Sequence, residues 1–462
     1  MSSTHFELFV IGTGSAGSGA ALAAARKGRR VGIADFKPFG GTCSQRGCDP
    51  SKVLHHGTLP RIFASRYQGK GVTRKPGYDW TDLMAFKRTF TDPIPEKTRE
   101  KYAEAGIETY HGRAAFTGKN SLKITYNDGK TADEITADQI LIASGARPVK
   151  LDIPGEELLL EDADFLELDE LPERVLFVGG GYIGCNLATI ASHQDCTTYL
   201  IADDERPLIQ FDADMVGHFV RVCEEIGIKL HCHTRATAVK KVKDGLEVTL
   251  THKDDSEETV VVDAAVHCAG RTPALTELNL EAAGIDYDEK KGIKTDDYLR
   301  STSNSKVWAG GDVADSGLPL TPIASYHRKI LVANLVEDKK QAVNYGMVPT
   351  VTFIDPPIAA VGLLEKDARA TGRKLRINCS DSSDFFTARS VCSPAYAYKV
   401  IIDEDSDEIL GAHLIGPNAE EVINIFALAI QTNIKASTLA DFHFTYPTAS
   451  ADIKYMVAEE QK

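Results

Sequence analysis

With 462 residues, 43% of them hydrophobic and 26% charged, the chain has room for two or three globular domains and no apolar run long enough to suggest a membrane span. Its formal net charge of -14 argues against nucleic-acid or anionic-membrane partners, which need clustered Lys and Arg, and for a small-molecule partner. Nine cysteines, scattered and odd in number, do not read as a secreted disulfide framework, and MSSTHFELFVIGTG runs into a glycine turn without a leader-like segment, so a cytoplasmic protein is expected.

The first expected element is a strand over FELFVI, residues 6–11. GTGSAG, an alanine-rich helix to about Gly28 and a second strand, RVGIAD, ending at Asp35, follow it. Gly12, Gly14 and Gly17 stand in G-x-G-x-x-G spacing: the first makes a tight turn, the second admits a pyrophosphate close to the backbone, the third lets helix pack on strand. The pyrophosphate then meets the helix N-terminus, and Asp35 can accept from a ribose hydroxyl. Alone the fingerprint is weak; strand, helix, second strand and acid together outweigh its reading as a flexible loop.

GGTCSQRGCDPSK, residues 40–52, comes next. No second couple of ligands at suitable spacing follows Cys43 and Cys48, which weakens a zinc reading. A structural disulfide is disfavoured by the expected compartment, and two ordinary buried thiols are the plain alternative. In an ideal helix, residues five apart are separated by about 7.5 Å of rise, beyond the disulfide Cα span of roughly 4.4–6.8 Å. The backbone is therefore expected to be distorted at Gly47, with a helix start near Pro50. That helix N-terminus and Lys52 would lower a thiol pKa, whereas Asp49 would raise one. Placed one short linker after the first βαβ unit, the stretch reads as a reaction centre at the redox end of a bound dinucleotide.

A helical stretch, a short β-rich segment and ILIASGARP, residues 140–148, lead to a second copy of the signal. RVLFVGGGYIG puts Gly179, Gly181 and Gly184 behind a strand, and TTYLIADD ends at Asp203. Two such units suggest two cofactors held face to face, one bound tightly and one exchanging. KDDSEE at 253–258 is expected to be a solvated hairpin tip, and VWAGGDVAD at 307–315 places Asp312 where it can bond a polyol chain. From about Val348 short strands (VTFI, YKVII) alternate with amphipathic helices such as EEVINIFALAI, which reads as a third domain.

GTGSAG, GGTCSQRGCDPSK, ASGARP, GGGYIG, AGRTPALTELNL and WAGGDVAD, in this order, resemble the pyridine nucleotide-disulfide oxidoreductases, the flavoproteins that include glutathione reductase, lipoamide dehydrogenase and mercuric reductase. The resemblance covers essentially the whole chain. It implies an α/β fold with two Rossmann-like dinucleotide-binding domains and a C-terminal α+β dimerisation domain. The expected bounds are 1–147 and 270–345 for the two parts of the FAD-binding domain, 148–269 for the NAD(P)-binding domain and 346–462 for dimerisation. It implies FAD against Gly12, Gly14, Gly17, Asp35, Gly41, Thr42, Ser144, Gly145 and Asp312. It implies a nicotinamide nucleotide at Gly179, Gly181 and Gly184, with Asp203 at its ribose, Arg271 nearby and Tyr182 covering the flavin until the nicotinamide arrives; a packing aromatic is the plainer reading of Tyr182. Cys48 is then the thiol against the flavin and Cys43 the one that attacks a substrate, with hydride passing from nicotinamide to flavin to the Cys43–Cys48 disulfide.

The chain departs from the family where a partner His-Pro-Thr motif completes each site of a homodimer. FTYPTASAD puts Tyr446 in the place of the histidine and Ala451 in that of the acid, with Asp452 one place late and His443 three residues before Tyr446. A tyrosine can donate a proton at neutral pH but rarely acts as base. Asn186 stands where many members have a glutamate that pairs with the lysine matching Lys52, and Leu22 where the glutathione enzyme has a carboxylate-binding arginine. Asp203, followed by Asp204 and Glu205, occupies the place of an arginine that meets the 2′-phosphate in NADPH-using members, so NADH is expected over NADPH; the alternative is that Arg206 folds back onto the phosphate. The expected function is an FAD-dependent enzyme passing electrons from NAD(P)H to a disulfide. Reduction of a quinone or metal ion is the first alternative, and a low-turnover flavoprotein with a binding or sensing role the second.

Overall fold

The computed structural model describes residues 4–128 and 133–459 and divides into two compact units. The first gathers Met1–Pro50, Ala85–Val149 and Gly270–Tyr345, the second Ser51–Met84, Lys150–Ala269 and Gly346–Lys462. The segment 51–84 groups with the second unit, where Arg61 donates to His193 O at 2.9 Å and Trp80 Nε1 to Leu168 O at 2.7 Å.

In the first unit, strand Thr4–Ile11 lies between Val31–Asp35 and Asp133–Ile142, parallel to both. Glu108–Gly118 and Val307–Ala309 extend this parallel sheet on its two sides, while Ser121–Tyr126 runs antiparallel to Glu108–Gly118 and Asp133–Ile142. Leu8, Phe9 and Val10 are fully buried. A strand covered on both faces explains why the sequence there is continuously apolar rather than alternating. Helix Ser15–Arg26 buries Ala16, Gly17, Ala20, Ala21 and Ala24, small side chains that bring it close to the sheet.

The second unit repeats the plan. Lys229–His231, Thr197–Ile201, Arg174–Val178, Ala264–His267 and Leu160–Glu161 form a five-stranded sheet in that order, all parallel. Regular pairing stops at Ile201, so Asp203 stands beyond the strand and exposed. Thr234–Val242, Gly245–His252 and Glu257–Val262 make an antiparallel sheet, with KDDSEE at the turn between the last two. The C-terminal sheet orders Thr350–Thr352, Ile358–Gly362, Ile409–Ile415, Ala397–Asp403 and Leu375–Asp381, all antiparallel. Helix Ala419–Gln431 shares a core with it through Val422, Ile423 and the fully buried Phe426, whose truncation to alanine costs about 3–5 kcal/mol. Buried Lys399 reaches Asp212 at 2.9 Å, Asp214 at 2.6 Å and Glu365 at 3.1 Å, while Asp212 also caps helix Ala213–Glu225. Among the described residues no helix is long and apolar enough to cross a membrane.

Candidate active site

The first glycine turn is walled as a dinucleotide cradle must be. Gly12 has φ +105°, and a Cβ there would fall 2.2 Å from Ala143 O; a Cβ on Gly17 would fall 2.2 Å from Gly12 O. Gly14 has nothing within 4 Å of such a Cβ, which leaves its face open to a ligand. Gly41, at φ +81°, packs on this turn so closely that a Cβ would sit 2.6 Å from Gly14 Cα. Asp35 is fixed from two sides: Oδ2 accepts from Thr13 N at 2.9 Å and Thr13 Oγ1 at 2.6 Å, and Oδ1 from Lys37 N at 3.0 Å. Thr13 Oγ1 in turn accepts from Gly40 N at 3.1 Å, tying the turn to the cysteine segment.

Around the same sheet edge, Ser144 Oγ donates to Ala274 O at 2.9 Å, Gly145 accepts from Ala274 N at 2.9 Å, and Arg271 Nη2 donates to Ala146 O at 2.8 Å. Asp312 is half-buried, and burial pushes its carboxyl up while the Arg271 charge partly offsets that. Arg46 is held below the usual guanidinium range by burial, and its Nε is buried with no hydrogen-bond partner. An open glycine face, a fixed carboxylate at the strand end and a buried donor without an acceptor fit the diphosphate dinucleotide, FAD, that the resemblance implies.

The cysteine segment opens with helix Thr42–Arg46, breaks at Gly47 (φ -145°, ψ -109°) and resumes as helix Cys48–Arg66. The distortion expected at Gly47 is thus a helix–helix junction, with Cys48 the first residue of the second helix. Gln45, buried, braces the segment by donating to Pro38 O, Phe39 O and Gly41 O at 3.2, 2.9 and 3.2 Å. Both cysteines are free thiols and hydrogen-bonded to one another. Cys48 Sγ lies 3.3 Å from Thr321 Oγ1, at the start of helix Thr321–Leu331, and Cys43 Sγ donates to Asp49 Oδ1 at 3.9 Å. The hydrogen bond to Cys48 and then burial push the Cys43 thiol up, with Asp49 adding to the effect and Thr321 opposing it. The lowering expected of Lys52 and the helix terminus applies to the thiol against the flavin, which the resemblance assigns to Cys48, whereas Cys43 is pushed up. Thr321 lies 273 residues from Cys48, and no local pattern in the sequence announces it.

The second glycine turn has the same walls: a Cβ on Gly179 (φ +119°) would fall 2.4 Å from Cys268 O, one on Gly184 2.0 Å from Gly179 O, and one on Gly181 near nothing. Asp203 is exposed. Arg206 is occupied elsewhere, donating to Leu208 O, Ile209 O and Phe211 O at 3.0, 3.0 and 2.9 Å. Tyr182 begins helix Tyr182–Ser192, its hydroxyl 2.5 Å from Thr350 Oγ1 and its ring edge-on to Phe211. Lys52 Nζ donates to Asn186 Oδ1 at 3.4 Å and lies 4.3 Å from the centre of the Phe353 ring, so the neutral amide that replaces the family's glutamate meets the lysine. Tyr446 is 72% exposed, whereas Ala451 is buried and Asp452 accepts from Tyr396 Oη at 2.7 Å inside the C-terminal core. No group of three or more His, Cys, Asp or Glu among the described residues is placed to hold a metal ion.

Residues 6–327 match the family model described as pyridine nucleotide-disulphide oxidoreductase, and residues 348–457 match its dimerisation domain. The chain is 32% identical to a glutathione reductase of Burkholderia cepacia over 98% of both proteins. It is 30% identical to a dihydrolipoyl dehydrogenase of Haloferax volcanii over 96% of this chain and 94% of that protein. Among solved structures, the Cu(II) complex of the HOCl-induced flavoprotein disulfide reductase RclA from Escherichia coli superposes with a TM-score of 0.87 at 26% identity, covering 99% of each chain.

Proposed function

This chain belongs to the pyridine nucleotide-disulphide oxidoreductases, and on that premise we propose that NADH is its reductant, a small disulfide its acceptor, and Cys48 and Cys43 the inner and outer sulfurs of its redox pair. It is an FAD-dependent flavoenzyme that uses a reduced pyridine nucleotide to reduce a disulfide, and its C-terminal domain is the one through which the family forms homodimers. Bound FAD supplies the two-electron relay between nicotinamide and cysteines.

The observation that supports these roles best is the asymmetry of the two sulfurs. The Cys43 thiol is pushed up, first by its hydrogen bond with Cys48 and then by burial, so Cys43 is a sulfur that holds its proton. Cys48 begins a helix, whose N-terminus favours a thiolate at that position, and its Sγ lies 3.3 Å from Thr321 Oγ1. Gly14, Gly41, Thr42, Asp35, Arg46, Ser144, Gly145, Arg271 and Asp312 would hold FAD, and Gly179, Gly181 and Gly184 the nicotinamide nucleotide, with Tyr182 covering its place. Arg206, committed to three carbonyls, leaves the carboxylates of Asp203, Asp204 and Glu205 to face the ribose, which supports NADH over NADPH. Tyr446 would serve as a proton donor to the departing thiolate rather than as a base.

The test is a count of thiols. After anaerobic NADH, wild-type protein should gain two alkylatable cysteines, while Cys43→Ser and Cys48→Ser gain none and lose disulfide turnover. Wild-type turnover by Cys43→Ser would overturn the assignment. A metal-ion acceptor is the second reading, favoured by Tyr446 in place of a histidine base and by the copper in the RclA complex. NADH oxidation driven by Cu(II) but by no disulfide would favour it.

A further inference from the structure

Asp49 places a carboxylate on the outer sulfur of the pair: Cys43 Sγ donates to its Oδ1 at 3.9 Å. It is exposed, and Cys43 beside it is half-buried. An acceptor attacked by Cys43 must therefore bring its substituents alongside a negative charge. We propose that Asp49 is a specificity residue, which makes the site favour disulfides bearing positive charge and disfavour those bearing carboxylates. The proposal rests on the disulfide reading above and names the class of disulfide.

The chemistry fixes where that charge acts. Cys43 gives up its proton and its sulfur attacks one sulfur of R–S–S–R, forming Cys43–S–S–R and releasing RS⁻, which takes up a proton to become RSH. Cys48 thiolate then attacks the Cys43 sulfur, closing Cys43–Cys48 and releasing the second RS⁻, again protonated. Two electrons leave the cysteine pair, and one disulfide becomes two thiols. Both departures happen within reach of Asp49. An ammonium on a two-carbon arm lies about 4–5 Å from its sulfur, close enough to meet this carboxylate, whereas a carboxylate on a similar arm is repelled. Asp49 also occupies the first turn of helix Cys48–Arg66, where any acid favours the helix dipole. A purely helical role would change turnover of every acceptor alike, so the ratio between acceptors separates the two.

The experiment is steady-state turnover of the FAD-loaded dimer at saturating NADH with three symmetrical disulfides: dicationic cystamine, neutral bis(2-hydroxyethyl) disulfide and dianionic 3,3′-dithiodipropionate. Wild-type kcat/KM should fall in that order. In Asp49→Asn the cystamine-to-dithiodipropionate ratio should shrink by about tenfold, the scale of one unit charge at close range in a partly screened site. Raising salt should compress the wild-type ratio without any mutation, which keeps the test valid if the variant folds badly. An unchanged ratio in Asp49→Asn, or a salt-independent one in the wild type, overturns the proposal. Failure of the wild type to reduce any of the three brings down the disulfide reading itself, and the proposal with it, a result distinct from loss of charge selectivity.

Discussion

The two glycine turns are built alike and anchored differently. In both, the outer glycines face backbone oxygens at 2.0–2.4 Å from a would-be Cβ, and the middle one faces open space. The strand registers also coincide: Gly12 N bonds Ala34 O and Gly179 N bonds Ile201 O. By that register Asp35 corresponds to Ala202, not to Asp203, and Thr13 corresponds to Gly180. The first unit thus has an acid locked by a neighbouring hydroxyl and amide, while the second has a buried alanine followed by an acid in solvent. A pre-organised acid loses little freedom on binding and a mobile one loses more, so the first turn suits a nucleotide retained through turnover and the second one that exchanges.

The largest effects should come from filling the glycine walls. Gly17→Ala drives a methyl into Gly12 O and should yield protein purified without FAD. Gly184→Ala makes the same collision with Gly179 O and should leave the protein yellow while raising the KM for NADH by tenfold or more. Flavin absorbance of the purified variants, followed by NADH kinetics, checks both. Flavin loss from Gly184→Ala equal to that from Gly17→Ala would break the division of labour.

Acid should separate the halves next. Burial holds His327 in the first unit down to about 4, and in the second His55 to about 3 and His193 to about 4. Their unfolded forms take up protons near pH 6.5, and the native forms do not until pH falls to 3–4. Between those limits the unfolded chain binds more protons, so stability is present above pH 6.5 and is lost as pH falls towards 4. His327 accepts from Gly311 N at 3.0 Å behind the loop carrying Asp312, so its protonation should release FAD. Each histidine contributes about 1–3 kcal/mol. Urea midpoints at pH 7.5 and 4.5, read by flavin fluorescence and by circular dichroism, should both drop, the second signal further because two such histidines lie in the second unit. A midpoint that rises on acidification contradicts the neutral state assigned to these histidines.

Both turns were legible because a glycine fingerprint is a local constraint: spacing, flanking apolar strand and helix lie within thirty-odd residues. The same holds for the break at Gly47, since the cysteine spacing does not fit one helix. What could not be read were partners distant along the chain, such as Thr321 on Cys48 and Gly311 on His327, and the register that makes Ala202 the counterpart of Asp35. An acid one residue past a strand looks in sequence much like an acid at its end. The same limit applies to Lys52, whose neighbour Asn186 was found only by resemblance, and to Phe353, which was not found.

Removing the lock on Asp35 should have a smaller effect than filling a wall. Thr13→Val keeps the amide bond to Oδ2 and deletes the hydroxyl at 2.6 Å together with the acceptor for Gly40 N. A hydrogen bond to a charged group contributes about 1.5–3 kcal/mol, so FAD affinity should fall at least tenfold, measured by titrating apoprotein with FAD. The NADH KM should stay within twofold. An unaltered FAD affinity would mean that the fixed acid is not what holds the first nucleotide.

The smallest effect should be at Asp203, and its size measures how far an exposed acid can select a cofactor. A 2′-phosphate carries close to two negative charges and would stand beside Asp203, Asp204 and Glu205, all exposed. Contact between unit charges at an effective dielectric of about 20 would cost some 4 kcal/mol, but solvent and salt screen groups this open to water, leaving about 1 kcal/mol, or roughly fivefold, per carboxylate. The opposite outcome needs a cation, and Arg206 is the nearest in sequence. Its guanidinium already donates to Leu208, Ile209 and Phe211, and withdrawing it would strand those carbonyls, at a net loss of about 1 kcal/mol or more for each bond. Asp203→Ala should therefore narrow the NADH-over-NADPH ratio of kcat/KM by about fivefold, mainly by improving NADPH, and the narrowing should fade at high salt. A wild-type preference for NADPH, abolished by Arg206→Gln, would show that the arginine leaves its turn for the phosphate, and that the second site is pre-organised after all.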